Sequence, residues 1–551
     1  MAPQARIYKL IKKSFLLLIT AFLFFIVYQP CSCIAVTTAQ EKPAYGDALI
    51  VGTIGEPSVL IPMLASDSAS HDVAGLVFRG LVKYDTDLTL TGDLAESWDV
   101  SEDGLTITFH LKKGVTWEDG TPFTADDVLF GFTTITDPKT PTAYSGDFQQ
   151  VTKAEVLDRH TFRVTYPKPF APALGNWGNM VVLPKHLLKD KDITKNSLTR
   201  KPVGLGPFSF NHWSSGEKLI LEANPAYHAG RPFIDHYIYR FIPDPDTLFL
   251  ELQAGSVDLM SLTPLQYTRL TDSPFFKQNF QKFKYPSFGY TYLCFNFKHP
   301  WFQDKRVRQA IAHAIDKQEI IDGVLLGLGS IATGPYVPNT WPYNPNVHKY
   351  PYDLARAREL LTEAGWNDTD GDGILDRNGK PFTFTILTNH GNSLRLKTAT
   401  IIQWRLEMVG IKVDIRVLEW ATFINEFVDK RRFQALILGW SIGLDPDQYD
   451  IWHSTKTGEK ELNFISYKNS KVDRLLEKGR HTFDMEERRR SYFSFQEILA
   501  DEVPYIFLYV PYALPIVHSR FQNIKAEPIG IRYNIEKWFV PKQLQRHQLT
   551  Q

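Results

Sequence analysis

The chain has 551 residues with 61 basic and 61 acidic side chains, so its formal net charge is zero. This balance differs from that of a strongly basic nucleic-acid-binding protein and from that of an acidic disordered chain. Three cysteines without a C-x-x-C pair exclude a disulfide scaffold and a cysteine zinc site, while 43% hydrophobic residues are enough for a sizeable core.

The first 35 residues have the pattern of a leader, either a signal peptide or an N-terminal anchor. Four basic residues precede the uncharged run 15–28, which is short for a membrane span and typical of a signal peptide. Cleavage after Ala35 or Ala39, lipid attachment at Cys31 or Cys33, and an uncleaved anchor are the alternatives. Each of them predicts a periplasmic or otherwise extracytoplasmic protein.

Beyond the leader, the signals for strands and helices alternate along the chain. Residues 105–111 alternate between apolar and polar, which predicts a half-buried strand. Thr124 followed by Asp127 has the spacing of a capping box and predicts the start of a helix. The pattern continues with apolar stripes at helical spacing at 307–315, 354–364, 394–409 and 484–499, and with one alternating strand at 411–417. Ser470 and Asp473 are expected to cap a further helix. Helix, glycine and then strand is typical of an α/β fold.

Several segments, taken together, resemble the extracellular solute-binding proteins of family 5, the dipeptide/oligopeptide type. The first three are LAESWDVSEDG at 94–104, KKGVTWEDG at 112–120 and FTADDV at 123–128. The later ones follow in family order: VGLGPF at 203–208, LQAGSVD at 252–258, RVRQAI at 306–311, GIKV at 410–413, and GW at 439–440 followed by DPD at 445–447. The resemblance extends from about residue 46 to 509, nearly the whole chain after the leader.

The resemblance implies an α/β fold of the periplasmic-binding-protein-like type II, with two lobes, a hinge and an inserted third subdomain. The expected lobe I comprises residues 45–82, 203–290 and 505–545, the inserted subdomain 83–202, and lobe II 291–504. It also implies the partners: a ligand held in the cleft, and an ABC-type membrane permease with cytoplasmic ATPase subunits. The binding protein itself is expected to be a monomer with no nucleic-acid partner.

The first candidate site follows the apolar strand predicted at 433–440. Trp440 resembles the family tryptophan that lines the ligand pocket. Asp445, Asp447 and Tyr449 lie within the next nine residues, and carboxylates beside an aromatic ring can hold an amine and pack against a side chain. The structural alternative is that Asp445 starts a turn and Asp447 caps the next helix.

The family resemblance also identifies a departure in this loop. Dipeptide- and oligopeptide-binding members carry, three residues after the tryptophan, an aspartate that pairs with the α-amino group of the peptide. This chain has Gly443 there. The alternatives are that Asp445 takes over this role or that the ligand lacks the amine.

Three further residues are candidates by position. Trp420 belongs to a Glu-Trp pair that resembles a family pair near the cleft, and core packing is its alternative role. Tyr292 and Asn296 are expected where the chain crosses between the lobes, so ligand contact and hinge structure are both open.

A separate acidic segment resembles half of a calcium loop. Asp368, Asp370 and Asp372 occupy positions 1, 3 and 5 of an EF-hand pattern, and Asp376 follows at position 9. Position 12 is Gly379 instead of the bidentate glutamate. A surface hairpin that binds no metal and a weak structural calcium loop are the two alternatives, and no other cofactor is expected.

The predicted function is therefore an exported substrate-binding component of an ABC importer that takes peptides or peptide-like solutes, and not an enzyme. Nickel chelates, oligosaccharides and opines are alternative ligands. A secreted serine hydrolase is a second alternative, because SGEK at 215–218, KTG at 456–458 and YKN at 467–469 are fragments of such motifs. Their order is wrong for that chemistry, and there is no G-x-S-x-G sequence.

Overall fold

The structure is a computed structural model that describes residues 42–547. The predicted leader, with its cleavage and lipid-attachment sites, lies outside the described residues. Within this range, no helix has both the length and the apolar character that a membrane crossing requires.

The first of two large sheets contains seven strands taken from three separate parts of the chain. Its central strand, Ala48–Thr53, runs parallel to both of its neighbours, and the other pairs are antiparallel. The order across the sheet is Phe280–Lys282, Pro515–His518, Leu259–Ser261, Ala48–Thr53, His236–Phe241, Lys218–Ala223 and Phe208–Ser214. Helices Ser68–Val77, Pro245–Ala254 and Pro274–Asn279 accompany it. We call this sheet with its helices the first lobe.

Residues 83–202, which we call the insert, contain their own antiparallel sheet. Its strands, in spatial order, are Ala95–Val100, Thr106–Leu111, Thr161–Thr165 and Lys153–Asp158. The predicted capping box is present, because the carboxylate of Asp127 accepts the backbone N–H of Thr124 at 2.9 Å. The helices are Ala125–Thr136, Ala173–Asn179 and Lys185–Leu188, and a hairpin of Val82–Tyr84 and Leu90–Gly92 leads into the insert.

The second large sheet mixes parallel and antiparallel pairs. Its strands, in spatial order, are Tyr285–Pro286, Tyr505–Ala513, Gly289–Phe295, Ala435–Ser441, Thr383–Asn389 and Lys412–Leu418, with Gly329–Ile331 paired to Tyr505–Ala513. Its helices are Lys305–Ala314, Lys317–Gly323, Leu354–Glu363, Ser393–Glu407, Trp420–Thr422, Tyr449–Trp452, Ser470–Arg480 and Met485–Glu502. We call this sheet with its helices the second lobe.

The predicted helix ends are close to those observed. The helix Leu354–Glu363 is capped by the Asp353 carboxylate, which accepts the N–H of Arg356 at 2.9 Å. Gly410, with φ of 79°, separates the helix Ser393–Glu407 from the strand Lys412–Leu418. One cap differs: Asn469, not Ser470, caps the helix Ser470–Arg480.

The return of the chain to the first lobe comes later than predicted. The expected lobe I included residues 505–545, but Tyr505–Ala513 pairs with Gly289–Phe295 inside the second sheet. The first six residues of this strand are buried, as in strands covered on both faces. Such a run does not indicate which sheet it joins, because the partner strand lies more than 200 residues away. Pro515–His518 then joins the first sheet.

Two segments connect the lobes, and they run side by side. The chain leaves the first sheet after Lys282 and enters the second at Gly289. Between these points Tyr285 pairs with Ala513, on the segment that returns in the opposite direction. This two-stranded connection is the part of the described chain from which a hinge motion would arise.

The hydrophobic cores show how the parts are grouped. One cluster includes Tyr237 of the first lobe together with Trp177 and Phe109 of the insert. The insert therefore shares a core with the first lobe. The second lobe has separate clusters around Ile311 and around Phe495. A cleft between the second lobe and the other two parts is the expected consequence.

Candidate functional site

A cavity of about 1010 Å³ lies in this cleft. The first lobe contributes Met63 and His71 to its wall, the insert contributes Tyr144, and the second lobe contributes Trp420 and Trp440. Cavities between structural units are common ligand sites. Of the seven residues predicted as ligand-binding, five line this cavity: Trp420, Trp440, Asp445, Asp447 and Tyr449.

Trp440 is positioned by the end of the strand Ala435–Ser441. Its Nε1 donates a hydrogen bond to the Tyr505 hydroxyl at 3.3 Å, and its ring centroid lies 5.7 Å from that of Phe464. These contacts hold the indole on the second lobe while part of it remains exposed to the cavity. Trp420 also belongs to the second lobe, and a side-chain carbon added at Gly55 of the first lobe would lie 3.9 Å from Cδ1 of the Trp420 ring.

Asp445 and Asp447 line the cavity, but each already has an arginine partner. Arg488 contacts both oxygens of Asp445 at 3.0 Å, and Arg480 contacts Asp447 at 2.7 Å. Asp445 also accepts the backbone N–H of Asp447 at 2.9 Å, as the turn alternative predicted. Asp447 accepts the N–H of Tyr449 at 3.2 Å. An incoming ammonium group would therefore compete with an arginine at either carboxylate.

Arg480 links the second lobe to the insert. Its fully buried guanidinium contacts Asp147 of the insert at 3.0 Å and Asp447 of the second lobe at 2.7 Å. The guanidinium carbon lies 4.0 Å from the ring centroid of Tyr449 and 4.9 Å from that of Phe170. Burial raises the pKa of the Asp147 carboxyl well above its usual range, and the neighbouring carboxylate of Asp450 adds to this while Arg480 opposes it.

Tyr292 and Asn296 lie elsewhere than the sequence predicted. Both belong to the interior of the second lobe and not to the connection between the lobes. The Tyr292 ring is fully buried and stacks on Tyr505 with centroids 4.1 Å apart. The Asn296 amide donates to the carbonyls of Arg431 and Phe433 at 3.1 and 2.9 Å. Neither side chain lines the cavity. The prediction was misplaced because the crossing occurs a few residues earlier.

Among the charged residues of the cavity wall that the sequence did not single out are Arg395 and Asp429. Arg395 donates to the amide oxygen of Asn389 at 2.8 Å, and neither it nor Asp429 forms an ion pair within residues 42–547. Burial raises the pKa of Asp429 to about 6, against the opposing charges of Lys460 and Arg431. A side-chain carbon at Gly439 would lie 2.9 Å from Arg395 Nη2, so the glycine before the tryptophan leaves room for the guanidinium.

Four buried polar atoms at the cavity wall have neither a hydrogen bond nor an ion pair in the described chain. They are Asn176 Nδ2, the Tyr290 hydroxyl, Trp420 Nε1 and Gln448 Oε1. Most buried polar groups in proteins are hydrogen-bonded, because an unpaired one costs about 1–3 kcal/mol. At the wall of the cavity, these atoms are suited to donate to and accept from a polar ligand. The sequence does not indicate these residues, because only their burial in the fold distinguishes them from other residues of the same type.

The acidic loop lies on the surface of the second lobe. Carboxylate oxygens of Asp368, Asp370 and Asp372 lie within 4.8 Å of one another, and all three side chains are exposed. Asp376 is not part of this group, because its carboxylate accepts the N–H and the hydroxyl of Thr369 at 2.9 and 2.6 Å. The three remaining acids offer the oxygen ligands that calcium prefers. Whether calcium binds there stays a prediction.

Comparison with known proteins places the chain among transport-associated binding proteins. Residues 89–461 match the family described as bacterial extracellular solute-binding proteins, family 5 Middle. The oligopeptide-binding protein AppA of Bacillus subtilis is 35% identical over 513 residues, which are 91% of this chain and 93% of that protein.

Solved structures agree with this match. The structure of AppA from Bacillus subtilis in complex with a nonapeptide has a TM-score of 0.87 and 33% identity, covering 91% of this chain and all of that one. NikZ from Campylobacter jejuni in complex with Ni(L-His) has a TM-score of 0.82 and 28% identity, covering 90% of this chain and 99% of that one.

Proposed function

The chain belongs to family 5 of the bacterial extracellular solute-binding proteins, and from this premise we propose that it captures oligopeptides in the cavity between its lobes. It acts as the substrate-binding component of an ABC importer, outside the cytoplasmic membrane. With the cleft closed around the peptide, the protein would dock on a membrane permease and release the peptide to it.

The observation that carries this proposal is the set of unpaired polar groups at the cavity wall. A peptide backbone offers a donor and an acceptor at almost every residue. Trp420 Nε1 would donate to a peptide carbonyl, Gln448 Oε1 would accept a peptide N–H, and the Tyr290 hydroxyl can do either. Binding through the backbone tolerates many peptide sequences, because it does not depend on specific contacts to the side chains of the ligand.

Within residues 42–547, Arg395, Asp429 and Lys460 of the cavity wall form no ion pair, and the first two suit the two ends of a peptide. Arg395 presents a guanidinium that would pair with the terminal carboxylate, and Asp429 presents a carboxylate that would pair with the terminal amine. Asp429 would thus supply the acid that is missing at Gly443. Asp445 stays a candidate for that role, in competition with its ion pair to Arg488.

Size and aromatic content are consistent with a ligand of several residues. The cavity of about 1010 Å³ is at the upper end of the usual range for ligand pockets, roughly 300–1,000 Å³. Trp440, Trp420 and Tyr449 would provide flat apolar surfaces for the side chains of the peptide. AppA, which is similar over nearly its whole length, was solved with a nonapeptide.

The test combines native mass spectrometry of the purified protein with calorimetric titration. A peptide of five to nine residues should bind, and its C-terminally amidated form should bind at least tenfold more weakly. Arg395→Met should reduce affinity for the free acid to that of the amide, whereas Arg416→Met, at an exposed position that does not line the cavity, should not. Binding of a nickel–histidine chelate, an opine or an oligosaccharide in place of peptides would overturn the proposal.

We also propose three properties that concern the protein as a whole: it is a monomer, its ligand leaves the cleft chemically unchanged, and its leader directs export. Incubation with a bound peptide should leave the peptide mass unaltered. The intact mass of the exported protein distinguishes cleavage after Ala35 or Ala39, a lipid on Cys31 or Cys33, and a retained anchor.

A further inference from the structure

A second cavity, of about 500 Å³, lies within the second lobe. It is enclosed by the end of the helix Lys305–Ala314, the start of the helix Lys317–Gly323, the segment 348–352, the end of the helix Met485–Glu502 and the strand Tyr505–Ala513. It shares no lining residue with the cleft cavity. Peptide binding in the cleft therefore does not account for it.

The wall of this second cavity is mainly apolar. Its aliphatic lining residues come from the helices Lys305–Ala314 and Met485–Glu502, from the residue after each helix, and from the strands Gly329–Ile331 and Tyr505–Ala513: Ala312, Ile315, Ile331, Leu499, Ala500, Val503 and Ile506. A hydrocarbon group placed against them would leave water and gain about 25 cal/mol for each Å² of apolar surface buried. The wall thus favours an aliphatic or aromatic group.

Lys317 is a partly buried charged residue of this wall. Within residues 42–547 its ammonium group forms neither a hydrogen bond nor an ion pair. Burial lowers the pKa of Lys317 to about 8, with no carboxylate opposing the effect. An ammonium group beside apolar surface without a counter-charge is unfavourable, and a bound anion would relieve this cost.

The other polar groups of the wall are already engaged. The Asp316 carboxylate accepts the N–H groups of Gln318 and Glu319 at 3.0 and 3.2 Å. The Thr333 hydroxyl is 3.1 Å from that of Tyr343, and the Tyr350 hydroxyl donates to the carbonyl of Ala500 at 2.9 Å. His348 and Lys349 are exposed at the rim, where water solvates them.

We propose that this cavity is a second ligand site that takes a small amphipathic carboxylate, with its carboxylate on Lys317 Nζ and its hydrocarbon part on the aliphatic wall. The partly buried ammonium group of Lys317 has no partner in the described chain, and a single negative charge would balance it. The engaged hydroxyl and carboxyl groups leave no set of donors for a sugar or a polyphosphate. The site is independent of the proposed peptide function, since none of its residues lines the cleft cavity.

The test uses octanoate as the probe and calorimetric titration of the purified protein at pH 7. Octanoate should bind at least tenfold more tightly than octanol or octylammonium, which have the same chain but lack the negative charge. Lys317→Met should abolish this preference, whereas Lys412→Met, at an exposed position on the same lobe, should leave it unchanged. An unchanged melting temperature and circular dichroism spectrum would show that Lys317→Met folds.

Lys317→Arg provides a second variant that keeps the positive charge. It should retain the preference for octanoate over octanol. This result tests the role of the positive charge even if the Lys317→Met variant is less stable than the wild type. The affinity for octanoate should also fall as the pH rises from 7 to 10, because the lysine loses its proton, while octanol binding stays flat. Equal affinities for octanoate and octanol, or equal binding by the Lys317→Met variant, would overturn the proposal.

A final comparison separates this site from the cleft. Trp420→Ala, which removes an aromatic wall of the cleft cavity, should leave octanoate binding unchanged, and a bound peptide should not displace octanoate. Loss of octanoate binding in that variant, or competition by peptide, would assign octanoate to the cleft and overturn the second site. The peptide proposal would be unaffected by a failure of octanoate to bind.

Discussion

At the scale of single residues, Trp440 is the side chain whose removal should be most informative. Its ring is held by Tyr505 and Phe464, and its exposed part faces the cavity. Trp440→Ala should weaken peptide binding at least tenfold, about 1.4 kcal/mol, because an apolar surface for the ligand is lost. Calorimetric titration measures this change.

The control for this prediction is Trp404→Ala. Trp404 is 51% exposed on the helix Ser393–Glu407 and does not line the cavity. Its removal should leave the peptide affinity unchanged. Equal affinities for wild type and Trp440→Ala, with both proteins folded, would contradict the assignment of Trp440 to the ligand surface.

Asp429 should make peptide binding depend on pH. Because burial raises its pKa to about 6, the carboxylate that would pair with a peptide amine is present above this pH and is lost as the pH falls through it. Affinity for a peptide with a free amino group should therefore fall between pH 7 and pH 5. Lys460, Arg431, Asp67 and Glu459 are the charged groups that act on Asp429.

Two comparisons check this assignment by the same titration. Asp429→Asn should bind the peptide more weakly at pH 7 and should show a flatter pH profile. An N-acetylated peptide should show the same flat profile with the wild-type protein. An unchanged pH dependence in Asp429→Asn would assign the titration to another group.

At the scale of elements, the helix Ser470–Arg480 carries the ion pairs that tie the insert to the second lobe. Arg480→Met would leave Asp147 and Asp447 without their cation. Removing one partner of a buried ion pair costs about 3–5 kcal/mol, so the melting temperature should fall by several degrees. Arg489→Met, at the exposed surface of the helix Met485–Glu502, is the matched control and should have little effect.

The loss in Arg480→Met should be smaller at pH 5 than at pH 8. Without the arginine, the pKa values of Asp147 and Asp447 in the folded state rise further above those of the unfolded chain. Folding then favours their protonated forms, and stability is lost as the pH rises through the folded pKa values. An equal loss of stability at pH 5 and pH 8 would show that the substitution does not raise the pKa values of the two carboxyl groups.

The acidic loop is a second element with a testable role. If Asp368, Asp370 and Asp372 bind calcium, millimolar calcium should raise the melting temperature and a chelator should lower it. Asp372→Asn should remove the response, whereas Asp414→Asn, an exposed position in the strand Lys412–Leu418, should keep it. Identical melting curves in calcium and in chelator would favour the alternative, a hairpin that binds no metal.

At the scale of the whole molecule, the first lobe, the insert and the second lobe all contribute to the cavity wall, so a ligand that fills the cavity would contact all three parts. A peptide at a hundredfold excess over its Kd stabilises the folded state by about 2.7 kcal/mol. The melting temperature should rise by a few degrees in one cooperative transition, and small-angle scattering should show a more compact molecule. The Trp440→Ala variant with the same peptide should show a smaller rise.

Much of the secondary structure follows from the sequence alone, because it depends on neighbouring residues. The capping box of Thr124 and Asp127, the cap at Asp353 and the stop at Gly410 are local hydrogen-bond or backbone effects. The family, and with it the fold class, also follows from ordered local segments. These features are present in any window of the chain that contains the residues concerned.

The site required the tertiary structure, because its chemistry depends on residues that are distant in sequence. Arg480 and Asp147 are 333 positions apart, and Asp445 and Arg488 are 43 apart. In the sequence, no cation lies close to Asp445 and Asp447. In the fold, each of these carboxylates forms an ion pair with an arginine. Conversely, Arg395, Asp429 and Lys317 are ordinary charged residues in the sequence. Their distinction is a wholly or partly buried position without an ion pair in the described chain, which only the packing of the whole chain determines.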